Sequence, residues 1–255
     1  MATKNESAAD EHLNNVYRKG NNKPKYTYKH FKQIAPDCGS RPDSQCTVVV
    51  IKYPVFNNIP SLNDSIKHRF FHLFRSDSTS TTDTNFTKYA NKFINSYESD
   101  RISDPVRPWK IAGTAEVLRR DSSLITIYFS DDSYDGGAHE HDGFSFINWD
   151  SKTSRVIELD DLFIDGYYDK LIKIAEKIFR KHEKLSDNAS FENYLFKNGK
   201  FGLNNNFLIT PNYIIFLYNE YEIKPYTEGT TEIDIPYTQI KSLLRPNTVV
   251  AQYTK

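Results

Sequence analysis

Two consecutive stretches near the middle of the chain, residues 109–121 and 122–134, alternate between apolar and polar side chains, Leu124 excepted. This period of two places successive side chains on opposite faces of a β-strand. Residues 119–123, which join the two stretches, contain Arg, Asp and Ser and can form a turn. The sequence therefore predicts a long antiparallel hairpin and a sheet built around it.

Strand and helix patterns extend over much of the remaining chain. Helices are expected from Ser61, around residues 86–97, and over about 15 residues from Tyr167, because apolar residues recur on one face of each. Further strands are expected at 46–56, 143–150, 155–163 and 231–236, and two more within 205–223, divided at 211–212. A helical turn is expected at 190–196 and a last helix at 237–244. A smaller segment of one strand and two helices thus precedes an antiparallel sheet with helices packed on it, which predicts the α+β class.

The domain organisation follows from the same patterns. The chain has 255 residues, enough for one large domain or two smaller ones with a substantial core. Residues 1–30 are polar and are expected to form a disordered tether. Residues 31–104 are expected to form an N-terminal α/β subdomain, and residues 105–248 a C-terminal α+β domain.

The charge balance narrows the class of partner. Lys plus Arg and Asp plus Glu both number 33, and there is no basic stripe. Nucleic acid and anionic lipid are therefore disfavoured as partners. No apolar run approaches the roughly 18 residues that a membrane helix needs, and the first residues contain no signal-peptide core. We expect no cofactor, and an export signal, with or without a lipid anchor, on a longer form of the protein.

The two cysteines, Cys38 and Cys46, flank a turn-rich loop. A disulfide between them would close a short loop beside the predicted strand at 46–56, as in many exported proteins. Two free thiols are the alternative. A metal pair is disfavoured, because no histidine lies near either cysteine.

Residues 134–142, with the sequence YDGGAHEHD, raise the question of a site. His139 and His141 are two residues apart and would share one face of a strand, which is the spacing of neighbouring metal ligands. A third ligand would have to come from elsewhere, for example from residues 131–135. Alternatively, the paired glycines mark a strand bulge or a close backbone approach. A third interpretation is a loop that contacts a partner.

Catalytic residues are harder to assign. Asp160–Asp161 and the pair Glu220 and Glu222 supply neighbouring carboxylates for acid/base chemistry. Asp160–Asp161 precedes Leu162 and is also typical of a turn that starts a helix. No nucleophile elbow, phosphate loop, dinucleotide fingerprint or HExxH sequence occurs. We therefore assign no catalytic residue and favour binding over catalysis.

A tyrosine-rich stretch near the C-terminus offers a second candidate surface. Tyr218, Tyr221 and Tyr226 belong to a predicted strand that runs into a bent aromatic segment and returns as another strand. These rings either seal an edge of the sheet or form a stiff platform for a partner. The candidate binding residues are Tyr134, Gly136, Gly137, His139, Glu140, His141, Tyr221 and Tyr226.

An ordered set of motifs carries a resemblance to a known family. The motifs are Tyr134-x-Gly-Gly-Ala-His139, Phe146-x-Asn-Trp-Asp150, Leu159-Asp-Asp-Leu-Phe163, Tyr221-Glu-Ile-x-Pro-Tyr226-x-x-Gly229 and Ile235-Pro-Tyr237. Over residues 108–245 they resemble the extracytoplasmic domain of the bacterial anti-sigma factor that senses lysozyme. The same module accompanies some peptidoglycan deacetylases and occurs alone in exported proteins. Residues 46–100 resemble, more weakly, the segment that precedes it.

The resemblance implies an α+β binding module in the periplasm or at the cell surface, with lysozyme or peptidoglycan as partner. The chain departs from the anti-sigma factor because it lacks a transmembrane segment and a sigma-binding part. It also lacks the Asp and His metal motifs of the deacetylase. Two alternatives stay open: a metal-dependent or acid/base hydrolase of cell-wall glycans, and a structural partner in an envelope assembly.

Overall fold

The computed structural model describes residues 24–71, 85–103 and 107–253. Within these ranges the strands form a six-stranded sheet, ordered as in the chain, and a three-stranded sheet. The strands are β1 (Tyr26–Ile34), β2 (Val48–Phe56), β3 (Lys110–Arg120), β4 (Leu124–Tyr134), β5 (His141–Asp150), β6 (Arg155–Val156), β7 (Phe207–Ile209), β8 (Tyr213–Tyr218) and β9 (Thr231–Pro236). The helices are α1 (Pro60–Phe71), α2 (Phe86–Ser103), α3 (Leu159–Leu162), α4 (Tyr168–His182) and α5 (Tyr237–Ile240). The predicted α+β class is confirmed.

The predicted hairpin forms the centre of the larger sheet. β3 and β4 pair antiparallel over their full length, with a bulge between Val117 and Arg119. β2 and β3 pair in parallel, and the helices α1 and α2 lie in the connection between them. A parallel pair requires such a crossover, because the chain must return to the same end of the sheet. The sheet therefore runs across the domain boundary predicted at residue 105.

The first strand corrects the prediction of a tether that extends to residue 30. Residues 1–23 of that tether lie outside the described part of the chain, but Tyr26–Ile34 form β1, paired antiparallel with β2. β1 is an edge strand whose side chains are mostly exposed. An edge strand needs little apolar surface and is often rich in charge, so its composition is easily mistaken for that of a disordered segment.

The helices α1 and α2 cover one face of the larger sheet. In α1, Leu62, Ile66 and Phe70 recur every four residues and are buried. They share a core with inward-facing sheet residues such as Ile127 and Trp149. This spacing in the helix and the period of two in the strands place both apolar faces against each other.

The smaller sheet has its own core. The helix α4 buries Leu171, Ala175 and Phe179, which belong to one cluster with Phe216 and Ile235 of the three-stranded sheet. The two sheets meet at β5 and β7. There the buried amide of Asn148 donates from Nδ2 to the carbonyl of Phe207 at 2.7 Å and accepts from the amide of Ile209 at 3.3 Å.

Three further features complete the fold. Cys38 and Cys46 form a disulfide in the connection between β1 and β2, with Cα atoms 5.4 Å apart. The helical turn predicted at 190–196 lies instead at Lys197–Gly199. No helix in the described ranges is long and apolar enough to span a bilayer.

Candidate functional site

The glycine-rich segment is a loop and not a bulge within a strand. β4 ends at Tyr134 and β5 begins at His141, and the two strands pair with each other. Gly136 has φ of +93° and lies so close to the indole of Trp109 that a Cβ would be 3.1 Å from Cζ2. A side chain at this position would be strained and would crowd the ring. The predicted close backbone approach is therefore present at Gly136, within a hairpin loop.

Trp109 connects this loop to the helical layer. Its side chain is buried, and its ring centroid lies 5.6 Å from that of Phe93 and 6.0 Å from that of Tyr97, both on α2. Its Nε1 has no hydrogen-bond partner among the described residues. The contact between Gly136 and Trp109 thus fixes the loop against a rigid part of the core.

The second part of the site is the turn that follows β8. Within it the amide of Glu222 donates to the carbonyl of Asn219 at 3.1 Å. Tyr221 has φ of 61°, and its side chain is 47% exposed. A tyrosine in the left-handed region costs on the order of 1–2 kcal/mol relative to an ordinary conformation. The turn thus holds an aromatic ring in solvent in spite of backbone strain.

The loop and the turn bring four aromatic rings together at the surface. The ring of His139 stacks on Tyr226, with centroids 5.2 Å apart and an angle of 11° between the planes. The Tyr221 ring lies 5.6 Å from Tyr226 and 6.1 Å from His141. We call His139, His141, Tyr221 and Tyr226 the imidazole–phenol patch. Four of the eight predicted binding residues therefore form one surface, although about 80 residues separate the two segments.

Tyr134 and Glu140 lie beside the patch and share a cation. The guanidinium of Arg107 lies over the Tyr134 ring, 4.5 Å from its centroid, and also pairs with the carboxylate of Glu140. Gly137 is exposed, and the nearest atom to a Cβ built on it is 3.9 Å away. Gly137 therefore contributes no close packing to the loop.

Carboxylates surround the patch. Burial raises the pKa of Glu220, the nearby Asp142 raises it further, and His141 opposes both. One oxygen of Glu220, Oε2, is buried without a hydrogen-bond partner in the described part of the chain. Glu220 is also the first cause of a raised pKa at Tyr226, followed by burial, Asp142, Tyr221 and Glu140. The patch is therefore an aromatic surface with a negative rim.

Neither a cluster of metal ligands nor the Asp160–Asp161 pair is found at the patch in the described residues. No group of three or more His, Cys, Asp or Glu side chains is placed to hold a metal ion in residues 24–71, 85–103 and 107–253. Asp161 forms the capping box of α3 with Glu158 and pairs with Arg155. Asp160 accepts from the hydroxyl of Tyr167 at 2.9 Å. Both aspartates therefore stabilise the start of a helix, and these contacts involve no residue of the imidazole–phenol patch.

Two residues of the site have no signal in the sequence. Trp109 and Arg107 support the patch, but each is an isolated residue within its own segment, whereas Glu220 was selected only as one of a pair of carboxylates with Glu222. The one local signal was the glycine pair, because a glycine beside an aromatic ring often marks a close approach. The partner of that approach, Trp109, is identified only by the pairing of the strands.

Two family models match the chain, and each matched segment contains two residues of the patch. Residues 160–238 match the family model described as a protein of unknown function (DUF3298), and residues 40–141 match the model described as deacetylase PdaC. Tyr221 and Tyr226 lie in the first segment, and His139 and His141 lie at the end of the second. No curated protein matches the chain.

Solved structures of two DUF3298 family proteins have a similar fold. A DUF3298 family protein from Pseudomonas aeruginosa PAO1 is 22% identical, with a TM-score of 0.66 over 88% of this chain and 95% of that one. A member of the DUF3298 family from Bacteroides fragilis NCTC 9343 is 20% identical, with a TM-score of 0.71 over 90% of this chain and 97% of that one. These matches support the predicted resemblance at the level of the DUF3298 and PdaC models, and they do not extend to the anti-sigma factor itself. This chain joins a segment that matches PdaC to one that matches DUF3298, in the fold of the solved DUF3298 family proteins.

Proposed function

We propose that the protein is an extracytoplasmic binding module of the bacterial cell envelope, and that its imidazole–phenol patch recognises a cationic protein such as a lysozyme. The observation that carries the proposal is the exposed ring of Tyr221, held with a φ of 61° against His141 and Tyr226. Strain of this kind persists where the surrounding structure enforces it, and it is most common at functional sites.

The chemistry of the patch favours a cationic partner. Stacked phenol and imidazole rings present π faces that attract ammonium and guanidinium groups. Asp142 and Glu220 add negative charge close to those faces, as their effect on the pKa of Tyr226 indicates, whereas the charge of Glu140 is paired with Arg107. A Lys or Arg side chain of a partner can thus contact a ring and a carboxylate together. Peptidoglycan fits this rim less well, since its stem peptides carry carboxylates of their own.

The location is supported by two observations. The disulfide between Cys38 and Cys46 is of the kind that persists in oxidising compartments. The match of residues 40–141 to the PdaC model also favours a position outside the cytoplasm. An export signal and a lipid anchor on a longer form of the protein remain part of the proposal.

Calorimetric titration with lysozyme tests the proposal. We expect saturable binding at about 20 mM NaCl that weakens severalfold at about 150 mM, because rim charges act mainly through screened electrostatics. Tyr226→Ala and Glu220→Gln should each weaken binding by about tenfold or more. The control is Tyr168→Ala, since Tyr168 on α4 is 49% exposed and lies outside the patch. Absence of heat and of retention on immobilised lysozyme at both salt concentrations would exclude lysozyme as the partner.

A further inference from the structure

A second polar surface lies along the part of β5 that β6 does not cover. β6 pairs with Trp149 and Asp150, and within the described residues no strand pairs with the outer edge of β5 before them. Its backbone groups bond to side chains instead. The amide of Phe144 donates to Asn219 Oδ1 at 2.7 Å, and the amide of Phe146 donates to Asn206 Oδ1 at 3.1 Å. This edge is therefore closed to an added β-strand.

The side chains that close the edge leave a groove beside it. The groove has a volume of about 430 Å³. Its lining includes the polar residues Arg69, Asp131, Ser145, Asn205 and Glu222. This volume lies in the range of small-molecule sites, and these side chains supply both donors and acceptors.

Asp131 lines this groove and has a glycine beside it on each neighbouring strand. Its register partners on the neighbouring strands β3 and β5 are Gly113 and Gly143. A Cβ on Gly143 would lie 2.6 Å from Asp131 Oδ1. Burial raises the pKa of Asp131 to about 7, with Asp142 and Asp132 as further causes. In the described ranges its carboxyl group has no hydrogen-bond partner, so its bonding capacity is available to a ligand.

The remaining groups balance the charge of the groove. Arg69 donates to the carbonyl of Phe146 at 3.2 Å, and burial lowers its pKa. Glu222 accepts from Asn204 Nδ2 at 2.7 Å and from the amide of Asn219 at 2.9 Å. Two carboxyl groups would repel an anionic ligand, and the partly desolvated guanidinium of Arg69 would repel a cationic one. A neutral ligand avoids both repulsions.

We propose that this groove binds a short neutral oligosaccharide. Sugar hydroxyls both donate and accept, so they match the mixture of carboxyl, amide, hydroxyl and guanidinium groups. The site is separate from the imidazole–phenol patch and does not depend on the function proposed for it.

Titrations with cellotetraose and tetra-N-acetylchitotetraose, followed by NMR, test the proposal. We expect at least one of them to bind saturably with a Kd below about 1 mM. The amide shifts should centre on residues 143–145 and 204–206, beside the groove. Lack of saturable binding by both sugars up to about ten times that concentration would overturn the proposal.

Variants separate this groove from the patch. Gly143→Ala should weaken sugar binding by about tenfold or more, because its methyl group displaces the Asp131 carboxyl. Asp131→Asn keeps the shape of the side chain and should change affinity less than Gly143→Ala does. Tyr221→Ala should leave sugar binding unchanged, whereas Gly143→Ala should leave lysozyme binding unchanged. Sugar binding that survives Gly143→Ala would show that the groove is not the site, whatever the outcome with lysozyme.

Discussion

Two aromatic clusters in this molecule use similar rings for different purposes. The phenylalanine cluster, formed by Phe179, Phe191, Phe196 and Phe201, lies in the core of the smaller sheet, and Phe179 has no exposed surface. The imidazole–phenol patch lies at the surface, with Tyr221 nearly half exposed. The first cluster gains its stability from burial of apolar area. The second gains little from burial and carries backbone strain.

The chemistry of the rings explains the difference. Phenylalanine has no polar atom to satisfy, so ring packing within about 6 Å is sufficient in a core. Tyrosine and histidine keep a polar atom that water or a partner can bond. Carboxylates surround the patch, whereas the phenylalanine cluster lies among apolar side chains. If this contrast is correct, changes in the core should reduce stability and changes in the patch should reduce binding.

The largest effect is expected in the phenylalanine cluster. Phe179→Ala should lower the free energy of unfolding by about 3–5 kcal/mol, because it removes a buried ring and leaves a cavity. Phe179 contacts Phe191, Phe196 and Phe201 with centroids 5.4–6.0 Å apart. Urea denaturation measures the change. A loss below about 1 kcal/mol would show that packing within this cluster contributes little to the free energy of unfolding.

The next effect concerns Asp131, which belongs to neither cluster. Its pKa rises from the ordinary 3.8 to about 7 on folding. The folded state therefore binds more protons than the unfolded state in this window, and the free energy of unfolding falls as the pH rises from about 4 through 7. Asp131→Asn should be more stable than the wild type by on the order of 2 kcal/mol at pH 8 and nearly equal to it near pH 4. Thermal melts of both proteins across this range test the sign. A parallel pH dependence in the two proteins would contradict the expectation.

A smaller effect is expected at the base of the loop. Gly136→Ala should destabilise the protein by about 1–2 kcal/mol, since its φ of +93° is unfavourable for alanine and the methyl group would meet Trp109. The displaced loop should also weaken lysozyme binding. The matched control is Gly137→Ala, whose methyl group has no atom closer than 3.9 Å. Equal stabilities for the two variants would exclude the contact with Trp109 as the anchor of the loop.

The smallest effect should be found in the patch itself. Tyr221→Gly relieves the strain at φ 61°, and Tyr221→Ala does not. We expect the glycine variant to be more stable than the alanine variant by about 1 kcal/mol, although both lose the ring. Both should lose lysozyme binding to the same extent. If either variant binds as the wild type does, Tyr221 has no role in recognition.

The regular elements followed from local patterns. The alternation in residues 109–134 predicted the hairpin of β3 and β4, and the apolar spacing after Tyr167 predicted α4. These signals are strong because the period of burial repeats over ten or more residues. β1 was missed because an edge strand is paired on one side and keeps a polar sequence. The glycine pair was placed in a strand because alternation alone does not reveal where a hairpin turns.

The candidate site was foreseen only in parts. Two segments, 134–141 and 221–226, were selected for their unusual composition, but no pattern in either indicates the other. Their meeting depends on how the turn after β8 lies against the β4–β5 loop, which is set by the packing of two separate sheets. The groove was not foreseen, because nothing in the local sequence separates Asp131, which lies between two glycines, from Asp132, which pairs with Lys110.

The amino-acid sequence by itself determined the α+β class and the central hairpin, and its equal numbers of acidic and basic residues led us to disfavour nucleic acid as a partner. Those properties depend on composition and on periods of two and 3.6 residues, which are local. The tertiary structure decided that His139 stacks on Tyr226, that Gly136 lies against Trp109 and that Asp131 lines a groove between Gly113 and Gly143. Each of these contacts joins segments distant in the chain, and such contacts are fixed by packing and burial over the whole fold.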